Sequence, residues 1–295
     1  NYKNSIIIDS DKSISIRSFL IASISEGVSF IENTLESEDV KSTIQVVKKL
    51  GIKIKRIRNQ KFKVYGKGLG SFYCKNNSLL NFGNSGTLAR LILGILSTTP
   101  NIKVKIKGDN SLNKRNMEEI IKLMNKFGAE FSPKNKFYFP LTLNSSNYPL
   151  GISYNSGKSA QLKSAVILAG LNANGKTLIN EDEISRDHTE NILKKNKNSF
   201  KILQNNGKKI IIFGKNKLKN FSIKVPGDPS SAAFFVALTI LKNNSKIKIK
   251  NVCLNPSRIG FYELLKKSGA KIKFRNLKKV NNEIVGDIYA ESSDL

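Results

Sequence analysis

EDVKSTIQVVKKL, residues 38–50, followed by Gly51 and by IKIKRIR at 52–58, is the stretch from which the fold can be read. Val40, Ile44, Val47 and Leu50 recur at helical spacing. Ser37 stands where an N-cap belongs, and Gly51 stands where a helix stops. IKIKRIR then alternates apolar and basic residues as a half-buried strand does, and a second strand is expected at about 62–65.

The same order of helix, stop and strand returns along the chain. MEEIIKLMNKFGAEF at 117–131 carries a helix to Gly128 and on into a strand, and YELLKKSGAKIKF at 262–274 does the same through Gly269. The gap from Gly128 to Gly269 is close to twice that from Gly51 to Gly128, which asks for one further copy between them. DHTENILKKN at 187–196, followed by NSFKILQ and KKIIIF, supplies it less cleanly. Each unit also has an earlier helix, expected at about 13–25, 87–97, 160–171 and 230–242. Four such units of roughly 70 residues predict an α/β protein of repeated βαβαββ modules.

A chain of 295 residues exceeds one ordinary core and suggests two domains. The two cysteines, Cys74 and Cys253, have no metal-ligand or disulfide-scaffold spacing, so a reducing cytoplasm is the expected location. A single histidine, His188, excludes any mechanism that needs two. No apolar run reaches the roughly 18 residues of a membrane span, and no signal peptide is visible. The chain starts at Asn1 without Met, so the true start is expected upstream. The net charge is +28, but 42 of the 50 basic residues are lysines scattered through every segment. That pattern is a composition bias rather than a nucleic-acid patch. Its functional residue is a positive field that draws in small, multiply anionic substrates.

Four segments place polar residues where helices begin, and a helix N-terminus binds phosphates and carboxylates through free N–H groups and its partial positive charge. In DKSISIR at 11–17, Lys12 and Ser13 open the helix and Arg17 lies one turn on, on the same face. In GNSGTLAR at 83–90, Thr87 opens an apolar helix after Asn84 and Ser85, and Gly86 admits a ligand close to the backbone; no Walker loop follows. In SGKSAQLKSAVILAGL at 156–171, Ser159, Ala160 and Gln161 open a long apolar helix. In ISRDHTE at 184–190, Ser185 is expected to begin a helix with Asp187 and Glu190 in its first turn, and His188 reads as a helix-start contact rather than a base.

Taken in order, DKSISIR, GNSGT, GDNSLNKR at 108–115, SAQLKSAVILAGL, SRDHTE, PGDPSSAAFF at 226–235 and NPSRIGFYELLKKSGA at 255–270 resemble the enolpyruvylshikimate-phosphate synthase family, 3-phosphoshikimate 1-carboxyvinyltransferases. The resemblance implies an enolpyruvyl transferase-like two-domain fold. Residues 11–226 would form a complete three-module domain, and residues 1–10 and 227–295 an incomplete second one. It implies transfer of the enolpyruvyl group of phosphoenolpyruvate to the 5-hydroxyl of shikimate-3-phosphate, with no cofactor, metal, nucleic acid or membrane partner, by a protein monomeric at full length. Lys12 would stand catalytically at the junction of both substrates, with Ser13 and Arg17 on shikimate phosphate. Gly86, beside Asn84 and Thr87, would line the phosphoenolpyruvate site, with Arg115 as its clamp. Ser159, Ala160 (through its backbone), Gln161 and Ser185 would cradle the shikimate phosphate and ring.

The resemblance has departures. Asp9 and Ser10 stand where the family has Pro-Gly, Asn116 where it often has proline, and Ile16 where it is usually polar. The family's catalytic aspartate and glutamate belong to two further modules beyond the match, so this piece is expected to be inactive alone. The sister transferase acting on a UDP-linked aminosugar is disfavoured by SAQ and SRDHTE and by the lack of a loop cysteine. Lys12, Arg17, Arg115, Gln161 and Ser185 are expected to converge on one concave face.

Overall fold

A computed structural model of the chain describes residues 3–204 and 207–294. After β1 (Lys3–Ile7), the first module runs α1 (Lys12–Ile24), β2 (Glu26–Glu32), α2 (Glu38–Lys49), β3 (Lys53–Arg58) and β4 (Lys61–Lys67). The second runs β5 (Ser78–Asn81), α3 (Gly86–Thr98), β6 (Lys103–Lys107), α4 (Glu118–Lys126), β7 (Glu130–Ser132) and β8 (Leu141–Asn144). The third runs β9 (Ser153–Ser156), α5 (Ala160–Asn172), β10 (Lys176–Glu181), α6 (His188–Leu193), β11 (Phe200–Gln204) and β12 (Lys208–Phe213). After β13 (Ser222–Lys224) the fourth comprises α7 (Pro229–Leu241), β14 (Lys246–Cys253), α8 (Gly260–Lys267), β15 (Lys271–Val280) and β16 (Glu283–Glu291).

The repeat expected from the sequence is present as four four-stranded sheets of one design. In β5-β6-β8-β7, the first pair is parallel and the other two are antiparallel, and β9-β10-β12-β11 repeats this. The three stop glycines end their helices in the left-handed region, Gly51 at φ +87°, Gly128 at +91° and Gly269 at +98°. The third module departs from expectation, because α6 holds only His188–Leu193. The five polar residues Lys194–Asn198 that follow offer no apolar face to carry it further.

Two sheets exchange their leading strands. β13, from the far end of the third module, pairs parallel with β2 in the first module's sheet. β1, from the start of the chain, pairs parallel with β14 in the fourth module's sheet. The chain therefore crosses at 8–11 and again at 225–228, and the crossings are tied together. Asp11 N–H donates to Pro226 O at 2.8 Å and Asp228 N–H to Asp9 O at 2.9 Å, and Ser10 bridges Gly227.

One apolar cluster spans Ile14 to Val225 and takes in Cys253; another holds Ile8 and Ala232 to Ala290. The three leading helices of the larger cluster are enclosed on nearly every side, and 11 of 13 residues are buried in each of α1, α3 and α5. Gly94 lets α3 and α5 pack closely: a Cβ there would lie 2.3 Å from Ala165 O of α5. The equivalent helix α7 is as apolar, yet only five of its 13 residues are buried. Phe234, Phe235, Leu238 and Leu241 remain exposed on it. Among the described residues no helix is long and apolar enough to cross a membrane.

Candidate anion site at three helix N-termini

The first turns of α1, α3 and α5 meet. Each is capped by a side chain that turns to the helix's own amides: Asp11 accepts from Ile14 N–H, Ser85 from Leu88 N–H and Ser159 from Leu162 N–H. Arg17 of α1 donates to Ser13 Oγ at 2.9 Å, to Ser164 Oγ of α5 at 3.2 Å and to Thr189 Oγ1 of α6 at 2.9 Å. Gln161 of α5 donates to Thr87 Oγ1 of α3 at 3.0 Å and accepts from Arg90 at 3.1 Å. Arg115 donates to Asn84 Oδ1. A Cβ built on Gly86 would lie 2.8 Å from Arg115 Nη1 and 3.1 Å from Arg90 Nη1, so both guanidinium groups lean over that glycine.

Three helix N-termini and three arginines brought together make a region suited to negatively charged ligands. Burial pushes the Arg17 guanidinium down to about 10, with the nearby Asp11 and Glu190 opposing it. It remains charged at neutral pH. Burial and the neighbouring Arg115 also lower Arg90. A carboxylate or phosphate between such cations gains from both.

Two of the residues expected from the sequence are occupied otherwise. Lys12 is half-exposed and pairs with Asp39 of α2 at 3.3 Å. Ser185 does not start a helix: α6 begins three residues later, after Asp187, and Ser185 instead donates both N–H (2.9 Å) and Oγ–H (2.8 Å) to Glu181 Oε1. The carboxylate four residues earlier outcompetes the cap. Ala160 contributes its carbonyl, which accepts from Ser164 Oγ at 2.7 Å.

Beneath Ser185 lies a buried neutral quartet. Lys163 Nζ, of zero side-chain exposure, lies 2.6 Å from Glu181 Oε1 and 2.7 Å from Glu190 Oε1. Lys208 completes it at 2.9 Å from Glu181 Oε2. Burial alone would raise Glu181, but the hydrogen bonds from Lys163, Lys208 and Ser185 bring it down to about 2.

Arg90 and Arg186 were within segments singled out from the sequence but had no assigned role. Arg90 repeats the Ser13/Arg17 logic, standing four residues after Gly86, and was legible on that ground. Arg186 is exposed and makes no ion pair or hydrogen bond among the described residues. His188, Cys253 and Glu283 offer ligand atoms within 4.8 Å of one another. Arg258 Nη1 stands 3.1 Å from His188 Nε2, and Glu283 already accepts from His188, Asn191 and Asn255. Burial and Glu283 hold the Cys253 thiol well above its ordinary range. These groups read as a hydrogen-bond network, not a metal centre. A surface cleft between α4 and β7 is lined by Ile121, Lys122, Phe131 and Phe137 and touches none of the site.

The sequence model of EPSP synthase (3-phosphoshikimate 1-carboxyvinyltransferase) matches residues 1–291. The 3-phosphoshikimate 1-carboxyvinyltransferase of Sulfurihydrogenibium sp. (strain YO3AOP1) is 37% identical over 299 residues, taking in 99% of this chain and 68% of that protein. That of Petrotoga mobilis is 40% identical over 297 residues, with 100% and 68% covered. The solved structure of EPSP synthase from Acinetobacter baumannii superimposes with a TM-score of 0.87 at 34% identity, over 99% of this chain and 66% of its own. The chain thus spans about two thirds of the length of the proteins it matches.

Proposed function

Because the chain belongs to the EPSP synthase family, we propose that it carries the shikimate-3-phosphate-binding part of a transferase that moves the enolpyruvyl group of phosphoenolpyruvate to the 5-hydroxyl of that substrate, with release of phosphate. The observation that carries this reading is the meeting of three helix N-termini under Arg17, Arg90 and Arg115. Both substrates are small polyanions. Arg17 and Ser13, with Ser159 and Gln161 at the start of α5, suit the shikimate phosphate. Arg115 and Arg90 over Gly86 suit phosphoenolpyruvate, and Lys12 leaves Asp39 to stand between the two. Ser185 holds the loop through Glu181, and its neighbour Arg186 is free to meet the phosphate.

The reaction adds the 5-hydroxyl oxygen to the enol carbon, protonates the methylene, and then eliminates phosphate with loss of that proton. It needs a base, an acid and cations around crowded anionic oxygens. Three of those cations, Arg17, Arg90 and Arg115, are in this chain. The base and acid belong to the third of the family's length that the chain does not span. In this reading residues 11–226 are a complete domain, and residues 1–10 and 227–295 part of a second. The exposed apolar side of α7, where α1, α3 and α5 are enclosed, supports that division. The protein works in the cytoplasm and takes neither nucleic acid nor membrane as partner.

Calorimetry with shikimate-3-phosphate and a phosphate-release assay with both substrates test the proposal. The 295-residue chain is expected to bind shikimate-3-phosphate weakly and to release no phosphate. Absence of binding by the folded chain would refute the site. Steady phosphate release would refute the location of the acid and base.

A further inference from the structure

Arg258 lies between α7 and the crossings, with a side chain only 3% exposed, and both of its terminal nitrogens are fully engaged. Nη1 donates to Asp11 Oδ2 at 2.7 Å and to His188 Nε2 at 3.1 Å. Nη2 donates to Asp228 Oδ1 at 2.8 Å and to Ser230 Oγ at 3.1 Å. Since arginine can only donate, His188 carries its proton on Nδ1 and gives it to Glu283 Oε1 at 2.8 Å. Asp11 and Asp228 are the N-caps of α1 and α7, the helices that follow the two crossings. One guanidinium therefore joins the start of the helix bearing Lys12, Ser13 and Arg17 to the start of the leading helix of the other core. Asp11 is also within electrostatic reach of Arg17 and Arg186, and Asp228 of Arg186. Left unpaired, these two carboxylates would repel an anion at the site.

We propose that Arg258 is a positioning residue: it fixes the first turn of α1 against the second core and cancels the carboxylate charge beside Arg17 and Arg186. The second half of this inference rests on the reading of that end as an anion site; the first does not. Both are tested on the full chain by amide hydrogen exchange and by calorimetry with shikimate-3-phosphate. Arg258→Gln is expected to speed exchange on the order of tenfold at residues 9–14 and 226–230, with β2 and β4 unchanged as an internal control. It is expected to weaken binding about tenfold. The pair Arg258→Gln with Asp228→Asn restores the local charge, so it should recover most of the affinity while exchange at the crossings stays fast. Unchanged exchange at the crossings, or an equal rise everywhere, overturns the positioning role. Affinity that the second substitution fails to recover overturns the charge role. If the unaltered chain binds nothing, the anion site and the charge role fall together, and exchange still decides the clasp. Should Arg258→Gln not fold, Asp228→Asn alone keeps a good cap and removes the charge partner; slow, unaltered exchange in that variant overturns the proposal.

Discussion

Lys163→Met takes the ammonium out of the quartet under Ser185 and leaves a side chain of similar length. Two carboxylates, Glu181 and Glu190, then share Lys208 alone, at 2.9 Å and 3.3 Å. Removing one partner of a buried pair costs about 3–5 kcal/mol, most of it from the uncompensated charge left behind. At about 2–4 °C per kcal/mol for a domain of this size, the melting temperature should fall by about 6–20 °C near pH 8. The pH dependence distinguishes this from a packing loss. In the native chain Glu181 sits below its ordinary value of 4.5, at about 2, so its contribution is complete above about pH 4.5 and is lost only as pH falls toward 2. In the variant one carboxylate is raised above its unfolded value. Its penalty is then full at pH 8 and fades as pH falls through that raised value. Calorimetric melting at pH 8 and pH 5 should show the gap between the two proteins shrinking at the lower pH. A gap below about 1 kcal/mol at pH 8, or one that does not change with pH, would refute the reasoning.

Gly86→Ala should leave the melting temperature within about 1–2 °C of the native chain, because the new methyl meets only the ends of Arg115 and Arg90, while calorimetry should show weakened phosphoenolpyruvate binding. Gly94→Ala should do the opposite first: its methyl meets the Ala165 backbone, so denaturation should show a loss of about 1–3 kcal/mol or more as α3 is forced from α5. Cys74 and Cys253 are both buried and both pushed up by burial, so iodoacetamide at pH 8 should label neither until denaturant is added; mass spectrometry reads this directly.

The repeated unit was legible because its signals are local. Ser37 caps α2, Gly51 ends it, and the residues between follow one period. What failed to show in the sequence depends on residues brought together from afar or on competing local bonds. Ser185 has the look of a cap, with Asp187 and Glu190 after it, but only the structure shows that Glu181 turns back to take both of its donors. Arg90 obeys a spacing rule already used for Arg17, and its pairing with Gln161 across α3 and α5 follows once those helices touch at Gly94. Arg258 gives no such signal. Its partners Asp11, His188 and Asp228 come from three separate parts of the chain, and nothing in NPSR announces them.

The exchange of leading strands imposes a timetable on synthesis. β1 leaves the ribosome well ahead of its partner, because its register begins Lys3↔Lys246. At about 5–20 residues per second, β1 waits on the order of ten seconds to a minute before β14 exists. The sheet around β2 waits nearly as long for β13, whose register pairs Ser222 with Phe30. During that interval two parallel edges stand open, and any β-strand that meets them can add on. Four of the five residues of β1 are exposed in this structure, with Lys3, Asn4 and Ser5 among them. A short waiting strand that opens with Lys3, Asn4 and Ser5 is a poor template for another chain, which suits a segment that must stay unpaired until β14 has been made.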